Sequence, residues 1–197
     1  MEKYFIEKAI LSFEKAADAG DDEARYELGR ILFTTKGYQD FTKALVHLKL
    51  AAENSFIPAY NLLGVLLVSK KLSQRDPLAA WNWFEKAANE GVITAKLNQA
   101  TYLKRGENGV TDYQKAFEIL ESIAQNDENE IASYLMALLI LSGECEVKDQ
   151  AVARKYLELS SQKGWLPAVK LLDNDDLFTG PAVLNFWEDY ILEDEEE

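Results

Sequence analysis

Apolar residues recur along the chain in two phrases, each with the three-and-four spacing of an amphipathic helix. One phrase reads FEKAADAG at Phe13–Gly20, LKLAAENS at Leu48–Ser55, FEKAANEG at Phe84–Gly91, LESIAQND at Leu120–Asp127 and LELSSQKG at Leu157–Gly164. Its starts are separated by steps of 35, 36, 36 and 37 residues. The other phrase runs out of phase with it: ARYELGRILF from Ala24, AYNLLGVLLV from Ala59, AKLNQATYLK from Ala95 and ASYLMALLIL from Ala132, with a shortened copy, AVKLL, from Ala168. Two phrases holding one period over most of the chain predict a repeat architecture.

Each period predicts two helices. In the Ala59 phrase, Ala59, Leu62, Leu63 and Leu66 share one helical face. Gly29, Gly64, Ala100 and Ala137 recur at a single position of this helix. Glycine in a helix interior costs about 1 kcal/mol against alanine, so its recurrence predicts a second backbone crossing closely there. The other helix carries its own start signal. Asp40, Asp76, Asp112 and Asp149 each stand four residues before Ala44, Ala80, Ala116 and Ala153. A carboxylate there accepts hydrogen bonds from the free N–H groups of the first turn and suits the positive end of the helix. Pro77 occupies a favoured first helical position, and Gly20, Gly91 and Gly164 stand where a left-handed residue ends a helix. Ala44, Ala51, Ala80, Ala87 and Ala116 are expected to allow close helix approach, with Leu48, Phe84 and Leu120 filling the gaps between layers.

The stretch Gly106–Ala124 (GENGVTDYQKAFEILESIA) contains G-x-x-G-V-x-D and K-A, near the pattern G-x-G-V-x-x-D, and Ala79–Ala95 (AAWNWFEKAANEGVITA) contains W-[FY]-x-K-A-A-x-x-G. On these motifs the chain resembles the Sel1-like repeats, a branch of the tetratricopeptide-type α/α solenoids, over about residues 5–172. Other copies depart from the pattern: the turn KGYQD (Lys36–Asp40) is short, KKLSQRD (Lys70–Asp76) lacks glycine, and Ser160 and Ser161 replace the paired alanines. The resemblance implies an all-α fold, a right-handed α/α superhelical solenoid of four to five helical hairpins, each packed on its neighbours, with a C-terminal capping helix. Residues 1–172 form the solenoid in this reading, with a half repeat at 2–19 and repeats beginning near 24, 59, 95 and 132. Residues 173–197 form a capping helix and an acidic tail, the cap being 181–192, PAVLNFWEDYIL, through Val183, Leu184, Trp187 and Ile191.

Charge sharpens this division. The 197 residues carry a net −13, of which residues 1–172 contribute −3 and the ten acids from Asp173 onward −10. No basic stripe with interleaved aromatics appears, which speaks against nucleic acid as a partner. No apolar run approaches the roughly 18–20 residues that span a bilayer, so no membrane segment is expected. The opening MEKYFIEKAI has no apolar signal region, and the one cysteine, Cys145, has no internal disulfide partner; both fit a cytoplasmic protein.

Candidate chemistry is sparse. His47 and Cys145, the only residues of their kinds, lie in different repeats. No H-E-x-x-H, paired C-x-x-C or phosphate loop with its lysine is present, so no catalytic residue, metal or cofactor is expected. A binding surface is better supported. The resemblance implies a groove lined by the first helix of each hairpin. Repeat alignment carries it onto Tyr26, Arg30 and Phe33; Asn61, Val65 and Val68; Leu97, Thr101, Lys104 and Arg105; and Tyr134, Leu138 and Leu141. This apolar lining suits an amphipathic, partly acidic peptide or helix of another protein. A carboxylate clamp is not reproduced, because Val65, Val68 and Leu138 are apolar where it would be polar. The alternative is that a tightly wound superhelix fills its own groove and these side chains are core. The chain's own FWEDYILEDEEE also fits the groove, within one molecule or by self-association through 181–197, the plainer reading being a cap with a solubilising tail. The expected function is a bacterial-type, non-catalytic adaptor. The alternative is an acidic, immunity-type inhibitor that neutralises a basic toxin or nuclease by fast electrostatic association.

Overall fold

The computed structural model describes residues 2–107, 109–126 and 129–173. Helices follow one another in pairs: α1 (Glu2–Asp18), α2 (Asp22–Thr34), α3 (Phe41–Glu53), α4 (Ile57–Val68), α5 (Pro77–Asn89), α6 (Ile93–Arg105), α7 (Tyr113–Asn126), α8 (Glu130–Ser142), α9 (Gln150–Gln162) and α10 (Leu166–Leu172). The described residues contain helices, turns and bends and no strand. The fold is all-α, as the two phrases require. The cap at 181–192 and the acidic run at 193–197 lie outside the described residues.

The caps form where the aspartates predict them. Asp40, Asp76 and Asp112 accept hydrogen bonds from the backbone N–H three residues on, at 3.0, 2.9 and 2.9 Å. Asp149 accepts from Ala151 N at 2.8 Å, two residues on. Asp21 and Asn129 do the same for α2 and α8, accepting from Ala24 and Ala132. Each such cap contributes roughly 1 kcal/mol and satisfies a donor that the helix itself leaves free. At the other end of the second helices, Gly20, Gly91 and Gly164 take φ of 98°, 84° and 88°. Ser55 holds the corresponding place in its repeat at φ 68°, the one non-glycine with positive φ among the described residues.

The chain divides into two compact units, Met1–Ala95 and Lys96–Glu197. In the first, α2 packs on α1, α3 and α4, while α4 packs also on α3 and α5. Leu28, Leu48, Leu63, Leu66 and Phe84 are its fully buried large side chains, and Ala44, Ala51, Ala59, Ala80 and Ala87 expose nothing. Burial of each large side chain is worth about 1.5–3 kcal/mol, and the alanines let the helices approach closely enough to achieve it. In the second unit α8 packs on α7 and α9, and α10 on α9. Leu120, Ile123, Tyr134, Leu135, Met136 and Leu138 are the large buried side chains there, beside Ala116, Ala137 and Ala153.

At the recurring glycines the nearest approach is made by a side chain of the neighbouring helix, where a backbone crossing was expected. A Cβ built on Gly64 would lie 2.5 Å from Cε1 and 2.7 Å from Cδ1 of Phe84, and one on Gly29 would lie 2.6 Å from Cγ of Leu48. The first helix gives up its Cβ to admit the gap-filling side chain of a second helix, and at Gly29 the backbone carbonyl oxygen of Ala44 also comes to 3.4 Å.

A candidate protein-binding face

The groups with reactive potential are occupied in packing. Cys145 is buried, and its thiol donates to the carbonyl oxygens of Val147 at 3.0 Å and Leu139 at 3.6 Å. Burial raises its pKa, outweighing the opposing effects of the Val147 and Cys145 backbone and the Lys148 charge, which disfavours the nucleophilic thiolate. His47 is half-buried between α1, α2 and α3, with Nδ1 unpartnered. Burial lowers its pKa, the charges of Arg25 and Lys43 act the same way, and Asp18 and Glu14 oppose them. Among the described residues no three His, Cys, Asp or Glu side chains gather as metal ligands would. No described helix is long and apolar enough to cross a membrane.

One cavity of about 320 Å³ lies between α3, α4 and α5, with Leu45, Leu63, Leu67 and Trp83 among its walls. Three of its polar groups have partners within the unit. Arg75 donates from Nε to the Val68 carbonyl at 2.8 Å, Asp76 caps α5, and Lys49 stands 3.8 Å from Glu53.

The predicted lining divides by unit. In the first unit it forms a strip on α2 and α4, whose residues fall at i, i+4 and i+7 and so share a face. Tyr26, Asn61, Val65 and Val68 are half-buried, Arg30 is exposed, and only Phe33 is buried, edge-on to Phe41 with ring centroids 6.2 Å apart. Tyr26 leans on Phe56, 5.7 Å between centroids, and partial burial, with the nearby Glu27 charge, raises its pKa, Arg30 acting weakly against them. Arg30 is held by Glu27 at 2.6 Å, an exposed pair on one helix that contributes little to stability. Asn61 donates to Thr94 Oγ1 at 3.4 Å. Behind the strip, Asp22 accepts from Arg25 at 2.6 Å and from Asn54 at 3.0 Å. Desolvation opposes its ionised form, yet those hydrogen bonds and the Arg25 charge outweigh it and lower its pKa. The strip thus presents small and medium apolar groups, an amide and one exchangeable cation, all on rigid helices.

In the second unit the first two repeat positions of each helix are enclosed and the third is not. Leu97, Thr101, Tyr134 and Leu138 are buried; Lys104, Arg105 and Leu141 are half-buried. At the first two repeat positions the side chains are thus more open on α2 and α4 than on α6 and α8. Repeat alignment carries no information on which copies stay open, so this division was not legible beforehand.

Paired helices recurring at steps of 35 to 37 residues define a helical-repeat protein. The Sel1 repeat pattern matches residues 6–21, 22–56, 57–92, 100–128 and 131–165, and the chain belongs to the Sel1 repeat family. Proteins of this family serve in general as non-catalytic scaffolds for protein–protein interaction. The Sel1-repeat-containing protein YjcO of Escherichia coli K12 is 29% identical over 180 residues, covering 90% of this chain and 74% of that protein. The protein NMB1327 of Neisseria meningitidis serogroup B is 28% identical over 182 residues; the match takes in 89% of this chain and 37% of that longer protein. Among solved structures, a Sel1 repeat protein from Oxalobacter formigenes superposes with a TM-score of 0.68 at 22% identity, over 95% of this chain and 77% of that one. The protective antigen c5321 of uropathogenic Escherichia coli superposes at 0.66 with 23% identity, over 83% of this chain and 35% of that one. These structures share the Sel1-repeat solenoid fold with this chain.

Proposed function

We propose that the chain is a non-catalytic adaptor whose α2–α4 strip takes a short amphipathic segment of another protein. The observation that carries this reading is the half-buried set Tyr26, Asn61 and Val65, at positions where the second unit buries Leu97, Tyr134, Thr101 and Leu138. Apolar anchors on the partner would supply most of the affinity, because each side chain removed from water at the strip gains about 25 cal/mol per Å² of apolar area. An acidic partner residue gains less: it must displace Glu27 from Arg30, exchanging one exposed ion pair for another. The lone cysteine, buried as a free thiol, supports placing this adaptor in the reducing cytoplasm.

A peptide array of amphipathic helices, read by fluorescence anisotropy against the full chain, tests the reading. Binding of apolar-anchored peptides should weaken at least about tenfold in Val65→Asp, equivalent to some 1.4 kcal/mol. It should change little between low and moderate salt. Binding insensitive to Val65→Asp that collapses with salt would instead favour the acidic, toxin-neutralising reading.

A further inference from the structure

Helix α1 carries a face whose equivalents on α3 and α5 are covered. Phe13–Gly20 (FEKAADAG), which begins in α1, and Phe84–Gly91 (FEKAANEG), which begins in α5, differ at two of eight places. On α5 the Phe84 ring seats over Gly64 of α4, and on α3 Leu48 seats over Gly29 of α2. There Ala44, Leu48 and Ala51 are 0% exposed, and Ala80, Phe84 and Ala87 no more than 2%. Helix α1 has its counterparts in the same register, Ala9, Phe13 and Ala16, and all three stay half-buried. Phe5, one turn before Ala9 on the same face, is 62% exposed, with Tyr4 edge-on to it at 6.0 Å between centroids. Ala17, the counterpart of Ala52, is buried, and α1 packs on α2. The helix is therefore seated on one side and open on the other.

We propose that the face of α1 formed by Phe5, Ala9, Phe13 and Ala16 docks one helix of another protein, a helix with glycine opposite Phe13 and apolar residues beside it. The chain's own hairpins set that requirement. A Cβ on Gly64 would lie 2.5 Å from the Phe84 ring, and one on Gly29 2.6 Å from Leu48, closer than carbon atoms approach. A helix that covers such a face must therefore lack a side chain at that point. In α4 the buried Leu63 and Leu67 accompany the glycine. Removal of the Phe5 and Phe13 rings from water supplies the driving force. A second copy of this chain has no such helix to offer. Its Gly29 and Gly64 are already filled, Ala100 and Ala137 are 0% exposed, and the short α10 has Asp173 at the equivalent place. This face differs from the α2–α4 strip in what it selects: the strip receives a partner's apolar anchors, whereas α1 inserts its own phenylalanine into the partner. The inference does not depend on the strip's taking a partner.

Fluorescence anisotropy of a labelled peptide against the full-length chain tests this. The probe is the sequence of α4 itself with its two caps, Phe56–Ser69, held helical by a side-chain staple away from Gly64 and solubilised by a glycol tail. It should bind. Binding should weaken at least about tenfold in Phe5→Asp, a change at an exposed site, and in Phe13→Asp, with circular dichroism as the check of folding. The probe carrying Gly64→Leu should lose affinity by a similar factor, while Val65→Asp in the protein should leave binding unchanged. No binding, binding indifferent to Phe5→Asp, or equal binding of the Gly64→Leu probe overturns the proposal. Indifference to Phe5→Asp would mark exchange of the peptide for the chain's own α4. Sedimentation of the chain alone is the remaining arm. A monomer is expected, and a dimer that Phe5→Asp dissociates would make a second copy the occupant and overturn the proposal as well.

Discussion

Substituting Gly64 by alanine sets two well-separated magnitudes against each other. On helix propensity alone, alanine in the interior of α4 should stabilise the protein by about 1 kcal/mol. The added Cβ, however, would lie 2.5, 2.7 and 3.0 Å from three ring carbons of Phe84, where carbon pairs rest at about 3.5–4.0 Å. Relief requires a displacement of roughly 1 Å, and Phe84 is 2% exposed, so the ring has no solvent into which to turn. The α4–α5 pair must part instead, and overpacking of this kind costs about 1–3 kcal/mol. We therefore expect Gly64→Ala to be destabilising by about 1 kcal/mol net of the propensity gain. Urea unfolding followed by circular dichroism would show it as a lowered midpoint at unchanged slope. Shortening the ring should rescue the variant. In the cycle Gly64→Ala, Phe84→Leu and the double variant, the double should be more stable than the sum of the single costs predicts, by more than about 0.5 kcal/mol. A stabilised Gly64→Ala, or additive costs, would refute the claim that this glycine exists to admit Phe84.

Three further outcomes follow from the same packing. Ser55→Gly should raise stability by roughly 0.5–1 kcal/mol, since a non-glycine residue at φ 68° forfeits about 1–2 kcal/mol and glycine returns part of that as unfolded-chain entropy; a lower thermal midpoint would contradict this. Because burial holds the folded His47 pKa below its ordinary 6.5, the unfolded chain takes up the proton first. Its contribution is therefore intact above the unfolded value and lost as pH falls from there towards the folded value, so the urea midpoint should drop with acidification and drop less in His47→Leu. Leu138→Asp should cost about 4 kcal/mol or more by placing an unpaired charge in a fully enclosed site, while Val65→Asp should cost about 1 kcal/mol or less; equal costs, measured by thermal unfolding of both variants, would deny the difference between the two units.

The features that sequence alone determined are those whose cause is local. The period of about 36 residues places the helix pairs, and Asp40, Asp76 and Asp112 cap them because a carboxylate reaches the N–H three residues ahead whatever surrounds it. Gly20, Gly91 and Gly164 end helices for an equally local reason, the absence of a Cβ at positive φ. Gly64 was half legible: its smallness marks a close approach, while the identity of Phe84 as the intruder depends on how α5 lies on α4. The binding face was legible as a set of positions and illegible as a surface. Tyr26 and Tyr134 have the same place in the repeat and the same kind of aromatic partner, and only the tertiary structure decides that one faces solvent and the other does not. A repeat sequence specifies what each copy offers its immediate neighbours; exposure is a sum over everything that reaches a side chain, and that sum is made only when the chain has folded.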